Sequence, residues 1–265
     1  MMDVIVTGAY GGMGLATARA LRDAGHRVFA LDLRVGEPEK NIIPIQVDVT
    51  SEESVAKAAR LVSEKTDAIY AIIHFAGIYM LDSLVEVESE EFRRIFEVNL
   101  FGAFFINKAF LPLLRSGSRI LITTSELAPL DPLPFTGIYA VTKGALDKYA
   151  YSLAMELQLL GISVSVLRAG AVDTGMLGVS TDALDRFCDK TELYTCNADR
   201  FKRIVDGVEA KRIPGEKIAT RVLKIMKKRN PSFVYCINRN PLLLLLNALP
   251  KRMQLWVIKK ILRQE

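Results

Sequence analysis

The feature that most restricts this chain lies in its first fourteen residues. An apolar run, Val4-Ile5-Val6, leads straight into Thr7-Gly8-Ala9-Tyr10-Gly11-Gly12-Met13-Gly14, and a helical pattern over 12–24 follows, closed by Gly25. Glycines permit a tight turn between a strand and a helix, and they let the backbone approach another backbone or a phosphate. The first amides of the helix then face the turn with the positive end of the helix dipole behind them, which suits an anion. Such a turn also serves as a packing device, so its meaning depends on the rest of the chain.

Downstream, short apolar runs alternate with longer amphipathic ones, the rhythm of β-α units around a parallel sheet. Strands are expected over 3–7, 27–32, 42–47, 68–74, 118–124, 162–168 and 233–236, and further helices over 51–65, 90–114 and 137–160, the last stopped by Gly161. These connections are long enough for crossover helices, so a parallel order follows. The expected fold class is α/β, a single-domain Rossmann-type doubly wound parallel sheet of about seven strands with helices on both faces, spanning 1–236. Only the stretch 173–214 breaks the rhythm. It reads as a long loop beyond a strand end, where open α/β sheets bind ligands.

Eighteen residues after Gly14, Asp32 closes the second expected strand and Leu33 follows it. A carboxylate at that place accepts hydrogen bonds from an adenosine ribose. It repels a 2′-phosphate, which favours NAD over NADP; neighbouring Arg34 is the one feature that suits NADP.

Tyr139 and Lys143 stand four residues apart at the start of a helical pattern, hence on one face about a turn apart. Tyrosine ionises near pH ~10 and is a poor base at neutral pH unless a cation stabilises the phenolate. Lys143 supplies a cation, and it is also placed to donate to a nicotinamide ribose. The spacing by itself is common. Two further residues give it weight: Ser125, at the end of the apolar run 120–124, and Asn99, in Val98-Asn99-Leu100-Phe101-Gly102 inside an apolar helix. The serine hydroxyl can polarise a substrate oxygen, while a buried amide needs a partner, often water.

Taken together, these segments resemble the short-chain dehydrogenase/reductase family, its retinol and hydroxysteroid dehydrogenase-like branch in particular. The resemblance covers 1 to roughly 236. It assigns the family's glycine turn to Thr7 through Gly14, with Gly8, Tyr10, Gly11, Gly12, Met13 and Gly14 at the cofactor. It assigns the adenine-contacting Asp to Asp48 with Val49, and the Asn-Asn-Ala-Gly segment to His74-Phe75-Ala76-Gly77. The catalytic set maps to Asn99, Ser125, Tyr139 and Lys143. In the family Tyr is the general acid/base, Lys lowers its pKa and holds the ribose, Ser orients the substrate and Asn holds a relay water. The segment after the sixth strand corresponds to 169–174, implying cofactor contacts from Val172 and Thr174. The expected activity is NAD(H)-dependent interconversion of a secondary alcohol and a ketone, on a bulky apolar compound such as a hydroxysteroid or retinoid.

Four departures stand out. Gly11 beside Gly12 also fits the glycine spacing of the epimerase-like branch. His74-Phe75 replaces an Asn pair, so a structural hydrogen bond to the middle strand is lost or made by imidazole. Thirteen residues lie between Ser125 and Tyr139, one more than usual, which brings Thr124 into question as the true partner. Ala169 replaces a proline.

Composition matters chiefly at the far end. Residues 1–210 hold 21 Lys/Arg against 28 Asp/Glu, whereas 211–265 hold 14 against 2. The stretch 237–265 is a basic amphipathic extension: Pro241 and five leucines, Pro250, then a helical pattern over 251–263. Met253, Val257, Ile258, Ile261 and Leu262 fall on one side of that helix, and Arg252, Lys259, Lys260 and Arg263 on another beside Trp256. Packing over the substrate pocket or at a subunit interface is the first reading, and peripheral contact with a membrane the second; no nucleic-acid module is recognisable. Three cysteines without a disulfide framework and two histidines without a metal-site spacing predict reduced thiols and no metal. With no signal or transit pattern, a cytoplasmic location is expected. The apolar stretch 92–114 suits a dimer interface, and the resemblance implies homodimers or homotetramers. A nucleotide-binding sensor or scaffold, and a nucleotide-sugar epimerase or dehydratase, are the alternatives.

Overall fold

The computed structural model describes residues 1–173, 175–208 and 212–263, the side chains of 175–182 and 206–208 excepted. Seven parallel strands form one sheet: β1 (Asp3–Thr7), β2 (Arg27–Asp32), β3 (Ile42–Gln46), β4 (Ile69–His74), β5 (Leu114–Ser125), β6 (Ser163–Ala169) and β9 (Val234–Ile237). Their order is β3-β2-β1-β4-β5-β6-β9. A two-stranded parallel pair, β7 (Val172–Asp173) and β8 (Ile213–Pro214), lies apart from it. Chain direction reverses its spread at β1 and β4, and the crevice beyond their carboxyl ends is where a doubly wound sheet receives a ligand. Register lines those ends up: Thr7 pairs with Leu31 on one side and His74 on the other, and Ser125 pairs with Ala169.

Helices cover both faces, as the alternation requires. On one side α2 (Glu52–Ser63), α4 (Gly102–Phe110) and α5 (Gly137–Leu157) pack Val55, Ile106, Phe110, Leu146 and Ala150 against the sheet. On the other, α1 (Gly12–Asp23) and α8 (Gly215–Met226) contribute Ala18, Leu21, Ile218, Val222 and Ile225. The helix α8 occupies a stretch with no expected element, although its buried positions recur at helical spacing. The expected helix over 90–114 is three pieces: α3 (Ser89–Phe96), a π-helical turn Glu97–Phe101, and α4. Such turns concentrate at functional sites, and this one carries Asn99.

The stretch 173–214 is not a loop. It forms α6 (Gly175–Lys190) and α7 (Thr195–Val208), which bury Leu184, Phe187, Ala198 and Phe201 with Leu81 from the segment after β4. Phe135 joins them with ring centroids 4.5 Å from Phe187 and 5.4 Å from Phe201. Charges interleaved with the apolar positions hide this helical face in the sequence. The tail forms α10 (Lys251–Leu262), where a helical pattern was expected, and a further short helix, α9 (Pro241–Asn247), that was not, and both lie on the body. Asn240 N donates to Glu126 Oε2 (2.6 Å), Asp131 N to Asn247 Oδ1 (2.6 Å) and Asn197 Nδ2 to Leu262 O (2.7 Å).

Candidate active site

Beyond β1, Gly8 has φ +62°, a conformation that favours glycine, and a Cβ there would meet Ala76 N at 2.6 Å. At Gly14 a Cβ would meet Gly8 O at 2.0 Å, so the helix and the turn touch through backbone alone. Gly11 is the N-cap of α1 with no side chain capping the helix, and Gly12 and Met13 open its first turn. Those first amides have no partner within the helix. Asp32 Oδ2 accepts from Tyr10 N (2.8 Å) and Oδ1 from Arg34 N (3.3 Å), which ties the carboxylate to the glycine turn at the end of β2; Leu33 beside it is exposed. Asp48 turns inward on its own loop, its Oδ1 accepting from Thr50 N (2.9 Å) and Thr50 Oγ1 (2.7 Å). Val49 leans on Gly102, where a Cβ would meet Val49 Cγ2 at 2.8 Å. An uncapped helix start, a backbone-only turn and a carboxylate beyond it fit a dinucleotide, with phosphates at the amides and a ribose at Asp32.

Ala76 N donates to Thr7 Oγ1 (3.3 Å), and a Cβ on Gly77 would lie 3.1 Å from Asn99 Oδ1 and 3.3 Å from Lys143 Nζ. The cradle therefore runs directly into the polar cluster on β5 and α5. Ser125 ends β5, hydrogen-bonds Tyr139 and accepts from Leu127 N at 3.1 Å. The Thr124 hydroxyl donates to Asp147 Oδ1 (3.3 Å), so Ser125 is the hydrogen-bond partner of Tyr139 despite the long interval. In the loop before α5, Phe135 has φ +65°. That strained conformation delivers the ring to α6 and α7.

Burial moves the two titrating groups in opposite directions. It pushes the Tyr139 phenol up to about 12, with the Ser125 hydrogen bond pulling the other way, and it pushes the Lys143 ammonium down to about 8. Lys143 Nζ lies 5.7 Å from the centre of the Tyr139 ring and donates to Thr123 O (3.4 Å). Desolvation, rather than the lysine, is thus the main influence on the phenol.

Asn99 is almost wholly buried. Its Oδ1 accepts from Ile78 N (2.8 Å), while Nδ2 donates to Ile78 O (3.0 Å) and Thr142 Oγ1 (3.1 Å). With these three bonds Asn99 clamps the segment after β4 to α5. His74 is also buried; its Nε2 lies 2.9 Å from Asn107 Oδ1, and Asn107 Nδ2 donates to Tyr149 Oη (3.1 Å). Because Asn107 donates onward, its oxygen accepts from the imidazole, which burial holds neutral with a pKa near 4. The link lost with the Asn pair is therefore made to a helix instead of the middle strand.

Above Ser125 and Tyr139 opens a cavity of about 940 Å³. Met13 and Val172, the latter on β7, reach its wall, and Thr174 lies outside the described residues. Most of the lining is aliphatic or aromatic and comes from Tyr79, Leu133, α7, α9 and α10. Glu126 is the acid among these walls, next in sequence to Ser125; burial raises its pKa and the Asn240 N–H lowers it. Sequence reasoning missed Glu126, Tyr79 and Thr142. Only the position of Glu126 beside Ser125 offered a signal.

The family model described as short chain dehydrogenase matches residues 3–185. The chain belongs to the short-chain dehydrogenase family. A 3-ketodihydrosphingosine reductase of Bacteroides thetaiotaomicron is 26% identical over 231 residues, 87% of this chain and 85% of that protein. The estradiol 17-beta-dehydrogenase 2 of Mus musculus is 32% identical over 195 residues, 69% of this chain but 51% of that protein. A solved short chain dehydrogenase from Burkholderia cenocepacia, in complex with NADP, superposes with a TM-score of 0.75 at 22% identity, covering 99% of this chain and 98% of its own. The 3-ketoacyl-(acyl-carrier-protein) reductase from Brucella melitensis, complexed with NADH, gives 0.72 at 20% identity over 89% and 95%. As a short-chain dehydrogenase the chain is an NAD(P)-dependent oxidoreductase acting on CH–OH or C=O groups, with hydroxysteroid dehydrogenases among its relatives.

Proposed function

We propose that this dehydrogenase interconverts a secondary alcohol and a ketone on a bulky apolar substrate, using NAD(H), with Tyr139 as general acid/base. The observation that carries the reading is that Ser125 and Tyr139 line a large, mostly apolar cavity that Met13 of the glycine turn also reaches, with Lys143 Nζ 5.7 Å from the centre of the Tyr139 ring and close to Gly77. When bound, the nicotinamide supplies or takes up the hydride. Ser125 donates to the substrate oxygen and orients it. Tyr139, protonated in the resting site, gives its proton to the oxygen as the ketone is reduced, and receives it back in oxidation. Lys143 stabilises the phenolate left behind and reaches toward the ribose across Gly77, while Asn99 holds that segment still. The apolar walls exclude water and favour a sterol-like or long-chain substrate, a class in keeping with the names of the two relatives.

Asp32 supports NAD over NADP, because a carboxylate at the end of β2 would repel a 2′-phosphate beside it. Val172 is assigned to the cofactor side of the cavity, and Thr174 is proposed for the carboxamide on resemblance alone. A homodimer is proposed through the π-helical turn, α4 and α5, which expose Phe101, Phe104, Val141, Tyr151 and Met155. A cytoplasmic enzyme with its tail in peripheral contact with lipid fits the exposed basic side chains of α10.

The test is an absorbance assay at the reduced-nicotinamide band with NAD and NADP, against hydroxysteroids, retinoids, long-chain keto compounds and small alcohols. Turnover is expected with NAD on an apolar substrate and falls by about 10²–10⁴ in Tyr139→Phe. Activity that survives that substitution removes the mechanism; an NADP preference removes the role given to Asp32.

A further inference from the structure

Four large side chains have two properties that rarely coincide: they line the cavity and they face solvent. They are Ile204 on α7, Leu242 and Leu245 on α9, and Ile261 on α10, with exposures of 40%, 60%, 66% and 47%. They therefore mark the cavity mouth, which is rimmed by aliphatic groups in contact with water. Around the rim, α10 turns outward Met253, Leu255 and Trp256, all at least half exposed, together with Arg252, Lys259 and Lys260, and exposed Arg263 follows its end. Apolar groups this exposed are costly beside water, and cations among them have an obvious counterpart in anionic headgroups.

The charge of the whole chain points the same way. Residues 211–265, which include α8 and the tail, carry 14 Lys/Arg against 2 Asp/Glu, while the acidic excess lies in 1–210. A basic helix with an interfacial tryptophan and an apolar stripe is suited to lie in the plane of a bilayer surface. The helical stretch 89–113 is also apolar enough to cross a membrane by composition, but it packs Ile95, Ile106 and Phe110 fully into the core and has no part in this surface.

We propose that the α9–α10 face seats on an anionic bilayer and that the cavity mouth opens into it, so that an apolar substrate passes between membrane and active site without crossing water. Seating Leu242, Leu245, Ile261 and Trp256 in the interfacial layer removes the exposed rim from water, and the lysines and arginines flank it at headgroup level. The substrate route rests on the proposed activity; the docking surface does not.

The chain's single tryptophan, Trp256, is a built-in reporter. The full chain is mixed with phosphatidylcholine vesicles with and without phosphatidylserine. The protein is expected to sediment with the phosphatidylserine vesicles, to be released by high salt, and to show a blue-shifted Trp256 emission quenched by brominated lipid. The combined variant Arg252→Glu, Lys259→Glu, Lys260→Glu, which alters no cavity residue, is expected to weaken vesicle binding on the order of a hundredfold. Its turnover of a small water-soluble ketone should match the parent, and its turnover of a ketone dissolved in the vesicles should fall with binding. Lack of vesicle binding at low salt, or equal binding by the charge-reversed variant, overturns the docking surface. So does a blue shift that depends on protein concentration and not on lipid, since a second copy then covers the face. Equal rates on vesicle-borne ketone in parent and variant overturn the substrate route. Vesicle binding without turnover of either ketone instead removes the proposed activity and leaves the docking surface in place.

Discussion

The two halves of the proposed site, one for cofactor and one for substrate, are built by different means. Around β1, β2 and β4 the site is made of backbone: Gly8 and Gly14 bring turn, helix and the segment after β4 into contact with no room for a methyl group. Around α6, α7, α9 and α10 it is made of side chains, an aromatic cluster and a shell of leucines, tied down by a few hydrogen bonds to loops far away in sequence. A backbone site admits few sequences and one ligand shape. A side-chain cavity tolerates exchange and can serve many substrates within one family.

The contrast can be broken at Gly14. A Cβ there meets main-chain atoms that cannot rotate away, so Gly14→Ala should weaken NAD binding by on the order of a hundredfold or more, read by calorimetry. Unchanged affinity would mean that the turn is not backbone-limited. The cradle half does hold one side-chain device, His74, and it makes a pH prediction. Its pKa is lowered from 6.5 to about 4, so the folded state binds fewer protons than the unfolded one in that window. Its stabilising contribution is complete above the unfolded value and is lost as pH falls through the folded one, about 3 kcal/mol by pH 4. Denaturant titrations of the parent and His74→Asn from neutrality to that pH should diverge by that amount; parallel curves would place the acid sensitivity elsewhere.

On the substrate side, Phe135→Ala removes the ring that joins Phe187, Tyr194 and Phe201. A loss of about 2 kcal/mol in stability is expected, with a raised KM for apolar substrates and an unchanged Kd for NAD. A change confined to NAD would invert the division drawn here. The smallest effect is expected at Glu126, whose carboxylate accepts from Asn240 N at the start of α9. Glu126→Ala should cost about 1 kcal/mol and raise KM several-fold, and Glu126→Gln, which keeps an acceptor, should recover most of it. If Gln behaves as Ala, the carboxylate acts on the substrate directly and not by holding the tail.

Much of the cofactor half was legible in the sequence, because its rules are local. The strands fall within a few residues of their expected bounds, with β5 the exception since it begins four residues earlier, and the long crossover connections made the sheet parallel. The substrate half was not. The stretch 173–214 has its apolar positions diluted by charge, and its helices are buried by Phe135 and Leu81, whose proximity no spacing within the stretch can reveal. Likewise the residue count between Ser125 and Tyr139 raised a doubt about Thr124 that only the direction of its hydroxyl, toward Asp147, could answer.

By itself the sequence determined the glycine turn, the carboxylate at Asp32, the spacing of Tyr139 and Lys143, and an amphipathic basic tail, since each depends on backbone geometry or on the helical period within one segment. Tertiary structure alone decided that Asn99 clamps Ile78 and Thr142, that burial drives Tyr139 and Lys143 apart in pKa, and that α9 and α10 wall the cavity and rim its mouth. Those outcomes depend on desolvation and on contacts between distant segments, and such terms take a value only once the chain has packed.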